Sequence, residues 1–373
     1  MTKTMEREAF LAFMEEYAPR RLACDWDNVG MLLDMGAVAY KKVMVALDLR
    51  QSVVEEALAQ KVDLIVIHHP VLFSPVQRLS IFDAEQQWLM MLIQNHISLF
   101  AAHTNLDAAP RGINRRLADM LELQEQVSLE PRGQKYQKLV VFVPESHAEN
   151  LRSALADAGA GHIGQYAACS FSVQGKGRFM PLAGTKPFVG QEGKLEEVSE
   201  IRLETIAPRE KMQAVLAAMR ENHPYEEIAY DLYEVEQLDE QVGLSRMGKL
   251  KERMKGEAFC AYVKEKLGIP HVRAAGNMGR PIETVAVSCG AGFDSAELAK
   301  MAGVQALVSS ELKHHVALTA GENGVLLVDA GHYETEHIIV EQLIGSLQER
   351  FNRVQYNTEF ILCKGETPLI QTL

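Results

Sequence analysis

Three short apolar runs in this chain each stop abruptly at residues able to bind a metal ion. Val62 to Ile67, apolar but for Asp63, ends at His68, His69 and Pro70. Ile97 to Ala102 leads into His103, Asn105 and Asp107, and Val325 to Val328 leads through Asp329 and Gly331 into His332, Glu334 and Glu336. Short apolar runs alternating with helical patterns read as buried parallel strands. In open α/β sheets, ligands gather in the crevice outside the carboxyl ends of such strands. Adjacent histidines point to opposite sides of a regular strand, so His68 and His69 face one site only where the strand breaks, as Pro70 marks. His332 and Glu336, four apart, open a segment with Ile338, Ile339, Leu343 and Leu347 at helical spacing, which puts both on one helical face. A single strand-end histidine is ordinarily structural. Three strand ends offering imidazole or carboxylate predict a metal centre.

The strand–helix rhythm sets the fold class. Strands are predicted at Val43 to Leu47, Val62 to Ile67 and Ile97 to Ala102. Helices are predicted at Ser52 to Gln60, at Ala84 to Asn95 and to about Leu123, with Ser52 and Asp83 as N-caps. The carboxyl end repeats the pattern, with strands Thr284 to Ser288, Val304 to Val308 and Gly324 to Val328. Helices there are expected at Ser295 to Met301, His314 to Ala320 and Tyr333 to Arg350. Right-handed crossovers then imply two similar α/β lobes with largely parallel sheets and the metal residues between them. Near Pro131 the rhythm changes. Residues 136 to 236 read as strand, helix, strand, strand, helix, strand, a ferredoxin-like α+β order, with a glycine-rich loop or hairpin at Gly175 to Gly193. The expected organisation is one α/β domain in two segments, 1–130 and 237–373, interrupted by an insert at 131–236.

At 373 residues the chain is too long for one ordinary core, and 47% apolar residues supply two. The net charge of −12 and the lack of a basic tract argue against a nucleic-acid or anionic-membrane binder. Five scattered cysteines without a Cys-x-x-Cys pair predict a reduced, cytoplasmic protein with neither a disulfide frame nor a thiolate zinc site. Glu6, Glu8, Glu15 and Glu16 make the amino terminus unlike a signal peptide, and no run reaches the roughly 18 apolar residues of a membrane span.

The motifs Asp25–Gly30 (DWDNVG), Ile67–Pro70 (IHHP), His103–Asp107 (HTNLD) and His332–Glu336 (HYETE) together resemble the Nif-three-like family, the GTP cyclohydrolase 1 type 2 homologues. Ser309–His315 (SSELKHH) is similar to that family's Gly-Glu stretch, with Ser310 in place of the usual glycine. The middle segments GQKYQKLVVFVP and HPYEEIAYDLY (His223 to Tyr233) resemble the PII/CutA-like insert of longer members. The resemblance implies two divalent metal ions per subunit, held by His68, His69, Asp107, His332 and Glu336, with His103 ligating or supporting. It also implies a toroidal homohexamer. Imidazole and carboxylate donors without sulfur suit zinc, iron or manganese. Within that set Glu336 is expected to bridge the ions and Asp107 to be a terminal ligand. A pair of such ions activates water near neutral pH.

The expected function is therefore metal-dependent hydrolysis of a nucleotide or related heterocycle, with GTP cyclohydrolase chemistry implied by resemblance. A non-catalytic regulatory or metal-handling hexamer and a metal-dependent phosphoesterase are the alternatives. Glu334 and His103 are candidates for a general base or for residues that orient a ligand. His314 and His315 read as helix-start residues, and Gly290 to Gly292 as a tight turn or a phosphate cradle. Trp26 and Asn28 either line the cavity or pack. His223 in HPYEE is either structural or part of a second site.

Overall fold

The computed structural model describes residues 3–353 and 356–371. The chain forms two compact units, one built from Met1–Arg132 with Glu240–Leu373, the other from Gly133–Asp239.

The first unit contains two sheets. In one, Glu359–Leu362, Lys42–Val45, Leu64–Ile67 and Ser98–Ala101 run parallel in that order, and Gly30–Leu33 closes the edge antiparallel. All four residues of Leu64–Ile67 are buried, because helices cover both faces. Alternation sorts the side chains. Val43, Val45, Leu64, Val66 and Phe100 pack with Phe10, Phe13, Leu343 and Leu347 of the helices Arg7–Tyr17 and Ile338–Asn352. Met44, Ile65, Ile67 and Leu99 face Val53, Ala57, Leu89 and Leu92 of the helices Gln51–Gln60 and Ala84–Gln94.

The other sheet has the order Arg273–Ala275, Leu326–Asp329, Ala306–Ser309, Pro281–Val287, Arg246–Lys255, Gln124–Ser128, and its three consecutive strands between 281 and 329 are parallel. The likeness of the two lobes is concrete at their strand ends. Leu64–Ile67 corresponds to Ala306–Ser309, and Ser98–Ala101 to Leu326–Asp329; each of the latter pair feeds a five-residue helix, Thr104–Ala108 and His332–Glu336.

Two sequence expectations need correction, and one strand was not foreseen. Ser52 is not an N-cap: the helix starts at Gln51 after Arg50, and the Ser52 hydroxyl donates to the Gly365 carbonyl at 2.8 Å. Asp83 does cap, accepting from the Gln86 amide at 3.0 Å. The single helix expected over Tyr333 to Arg350 is two, meeting at His337, whose ring stacks on Tyr333. The strand Arg246–Lys255, rich in charged residues and broken by a register shift between Lys249 and Met254, was hidden from a periodicity reading.

The second unit runs strand, helix, strand, strand, helix, strand. Its sheet has the order Tyr230–Asp239, Arg132–Pro144, Glu196–Pro208, Ser170–Phe179, the spatial arrangement 4-1-3-2 of a ferredoxin-like unit. Helices Ala148–Asp157 and Met212–Asn222 cover one face through Leu151, Leu155, Val215 and Met219. The glycine-rich stretch stays paired as strand through Phe179, against Glu196, and only then leaves the sheet. Among the described residues no helix is long and apolar enough to cross a membrane, and all five cysteines are unpaired.

Near the carboxyl terminus, Glu366 ties the end of the chain to the first lobe. Its side chain is fully buried and accepts from the amides of Leu47 and Asp48, each at 2.8 Å. Hydrogen bonds to a charged acceptor contribute about 1.5–3 kcal/mol each, and their loss strands buried donors. Glu366→Ala is expected to lower unfolding stability by roughly 2–4 kcal/mol in a urea titration; an unchanged midpoint would show that this tail is not fastened there.

Candidate metal centre

The centre assembles from strand ends. His68 and His69 follow Leu64–Ile67, where both amides donate to the Leu47 carbonyl and the regular ladder stops. With the strand ended, the two rings are no longer forced apart, and their centroids lie 4.8 Å from each other. His103 precedes the helix Thr104–Ala108, and its ring stands 5.0 Å from His68 and 5.5 Å from His69. From the second lobe come His332, 5.3 Å from His69, and Glu336.

Each of the four imidazoles is held by its Nδ1. His68 donates to the Ala102 carbonyl at 2.7 Å, His69 to Asp48 at 2.7 Å, His103 to Asp27 at 3.0 Å and His332 to Glu311 at 2.7 Å. Carbonyl and carboxylate oxygens only accept, so a proton is assigned to Nδ1 in every ring and Nε2 is the atom available to the centre. This is the arrangement that fixes tautomer and orientation in metal-binding histidines.

The Nε2 atoms converge on one carboxylate. Glu336 Oε2 lies 3.0 Å from Nε2 of both His69 and His332 and 3.9 Å from that of His68, while Asp107 Oδ1 is 3.6 Å from His68 Nε2. All three of His68 Nε2, His332 Nε2 and Glu336 Oε2 are buried without a well-oriented hydrogen bond; the last two meet only as an ion pair, and His68 Nε2 has no hydrogen-bond partner. Buried polar atoms without partners are costly, and three aimed at one point are what a divalent cation satisfies. Two overlapping donor groups, His68–His69–His103 and His69–His332–Glu336, have their ligand atoms within 4.8 Å of one another and share His69. The donors are nitrogen and oxygen, a set that fits borderline to hard ions.

Within the second lobe, Gly290 makes room for Glu336. With φ at +57°, it sits where a Cβ would come 2.2 Å from Glu336 Oε1, and its carbonyl accepts from the hydroxyls of Ser309 and Ser310. Gly290 to Gly292 is thus a tight turn packed against the centre. Glu311 also has positive φ, +59°, and carries the carboxylate that holds His332. A non-glycine residue in that region stores strain of order 1–3 kcal/mol, a recurrent feature of functional sites.

Electrostatics follow from burial and pairing. Burial pushes His68 down to about 3, so its ring is neutral. Burial works against charge on His69 as well, but Asp48 and Glu336 outweigh it and lift the ring to about 10. Contact with Glu336 raises His332 to about 9 against its burial. Burial would raise Glu336 too, but the histidines hold it well below the usual carboxylate range, whereas burial beside Glu336 moves Asp107 up. Burial would likewise raise Asp27, yet His103 and Thr104 bring it down to about 2.

Of the residues singled out from sequence, His68, His69, His103, Asp107, His332 and Glu336 come together. Glu334 folds back over Gly331, where a Cβ would meet its Oε2 at 2.1 Å. His314 and His315 are exposed at the start of the helix His314–Asn323. His223 spends both nitrogens on backbone, Nε2 donating to the Phe142 carbonyl and Nδ1 accepting from the Tyr225 amide. Sequence reading missed Asp27, Asp48 and Glu311, which hold the imidazoles, and Cys289, buried with its Sγ 3.2 Å from Asp107 Oδ1. Asp48 and Glu311 follow strand ends, so the rule that found His68 would have found them.

Metal ligands must be deprotonated, so an ion entering this centre displaces the protons of His69 and His332. At pH 7.5, metal uptake should release about two protons per subunit, and affinity should climb as pH rises from 6 toward 9. Calorimetry in buffers of different ionisation enthalpy measures this; heat independent of buffer would contradict the assignment.

The family model described as Duf34/NIF3 (NGG1p interacting factor 3) matches residues 5–368. A Bacillus subtilis protein called GTP cyclohydrolase 1 type 2 homolog is 39% identical over 368 residues, 98% of each chain. Its Listeria monocytogenes namesake is 34% identical over 364 residues, 97% of each. The crystal structure of a Bacillus cereus protein related to NIF3 superposes with a TM-score of 0.75 at 34% identity, covering 100% of both chains. A Staphylococcus aureus structure reaches 0.84 at 28% identity and 99% coverage of both. With its whole length matched in sequence and in fold, this chain belongs to the Duf34/NIF3 family.

Proposed function

We propose that this protein is a dinuclear metal-dependent hydrolase acting on a nucleotide or related heterocycle. The observation that carries the reading is the convergence from two lobes of buried donor atoms on His68, His332 and Glu336 that make no well-oriented hydrogen bond. Metal enzymes of this kind use a pair of divalent ions to activate water and to polarise the bond under attack. His68, His69, Asp107, His332 and Glu336 would hold the ions, and Glu336 is the carboxylate nearest to three of the imidazoles.

The remaining work falls to the chain itself. Asp48, Asp27 and Glu311 hold the rings of His69, His103 and His332 with Nε2 facing inward. Of the two candidates His103 is the one whose ring lies against the other imidazoles of the centre. Its Nδ1 proton rests on Asp27, which stabilises the ring once Nε2 gains a second proton, as in other histidine–carboxylate pairs. Glu334 turns toward backbone instead. The names of the Bacillus and Listeria relatives favour GTP cyclohydrolase chemistry, the opening of a purine ring. The ferredoxin-like order of the second unit supports reading it as a PII/CutA-like module, and we carry the homohexamer and the cytoplasmic setting as parts of the same proposal.

The test loads purified protein with manganese, zinc or iron and follows GTP, other nucleotides and chromogenic phosphodiesters by mass and absorbance. Turnover that falls at least 100-fold in Asp107→Ala and in Glu336→Gln is expected. Cleavage confined to phosphodiesters would reassign the substrate to phosphate esters. No turnover of any compound would leave a metal-handling or regulatory assembly.

A further inference from the structure

Beside the metal centre two large aromatic side chains stand in the open. Trp26 is 63% exposed and Phe73 51% exposed. Aromatic residues bury more apolar area than any others, and leaving two adjacent ones in water forgoes a substantial stabilisation. Their rings stack on each other, centroids 6.4 Å apart and planes 30° apart. Both stand edge-on to His103, at 5.9 and 5.8 Å. Because His103 touches the rings of His68 and His69, the exposed pair adjoins the atoms where chemistry would occur.

The pair is also held in place. Asp27, next to Trp26, has a fully buried side chain that bonds the His103 ring and both the amide and hydroxyl of Thr104. Asn28 donates to the Leu72 carbonyl at 2.5 Å, which fastens the segment bearing Trp26 to the residue before Phe73. These contacts commit Asp27 wholly and one N–H of the Asn28 amide. Asp27, occupied by His103 and Thr104, is therefore not free to read a base edge, and the exposed surface offered by Trp26 and Phe73 is aromatic.

We propose that Trp26 and Phe73 form a stacking platform for the planar heteroaromatic ring of the substrate, one that recognises the flat face and not the identity of the base. This rests on the nucleotide or heterocycle reading above and narrows it. Every base has a π-face, so stacking is tolerant of which base is bound. The platform would set a ring against His103 within reach of the metal pair while leaving purines nearly indistinguishable by affinity.

The chain has two tryptophans, Trp26 and Trp88. Trp88 packs on the core of the first lobe, so the W88F full-length protein reports on Trp26 alone. AMP and GMP are expected to quench its emission with dissociation constants within about threefold of each other. Ribose 5-phosphate, which lacks a ring to stack, should leave emission unchanged and bind at least tenfold more weakly by calorimetry. Phe73→Ala should weaken AMP and GMP about tenfold, and Trp26→Ala likewise by calorimetry, with metal content by elemental analysis unchanged in both. Equal binding of ribose 5-phosphate, a preference of more than tenfold between the purines, absence of AMP and GMP binding, or unchanged affinity in Phe73→Ala would each overturn the platform. The two readings fail separately. Nucleotide turnover with KM unaltered in Phe73→Ala removes the platform and keeps the hydrolase; stacking without turnover does the reverse.

Discussion

The architecture of the first unit is organised around one costly arrangement, the Glu336 carboxylate buried among imidazoles drawn from two sheets. An isolated buried charge is expensive, and a protein keeps one only where opposite charge or coordination compensates it. Without a cation the compensation comes from protons on His69 and His332, which explains why both rings are raised while their neighbour His68 is driven neutral. The same atoms are therefore either protonated or coordinated. Within the second lobe, the seat of Glu336 depends on Gly290 leaving it room, and His332 depends on the strained backbone of Glu311.

Rigidity is supplied from outside the donors. Four different acceptors hold four Nδ1 atoms, and the acceptors are themselves anchored: the Asp48 amide to Glu366, Asp27 to Thr104. Such layering lets a site built on loops keep the tolerance that coordination demands. It also separates orientation from reactivity, since Asp27 and Asp48 each reach the centre only through a histidine.

Much of the centre was legible because the chemistry sits where α/β topology puts it. His68 and His69, Asp107, and His332 with Glu336 each follow an apolar run, and strand ends are detectable from composition. The i,i+4 spacing of His332 and Glu336 was a true geometric signal, borne out by the five-residue helix that carries them. Ser52 was misread because a serine before a helical pattern looks like a cap, whereas its hydroxyl is taken by a carbonyl more than 300 residues away. The strand Arg246–Lys255 escaped because its polar alternation and bulge mimic a loop.

The sequence by itself determined the class of fold, the repeated lobe, the inserted unit and the family, since these are written in local periodicity and in contiguous motifs. Only tertiary structure decided how the donors meet. The distances from Glu336 to three histidines, the pairing of each Nδ1 with Asp27, Asp48, Glu311 or Ala102, and the exposed Trp26–Phe73 pair are contacts between segments far apart in the chain. Local pattern carries no information about such contacts, because what selects them is packing of one lobe on the other and the cost of leaving a buried polar atom without a partner.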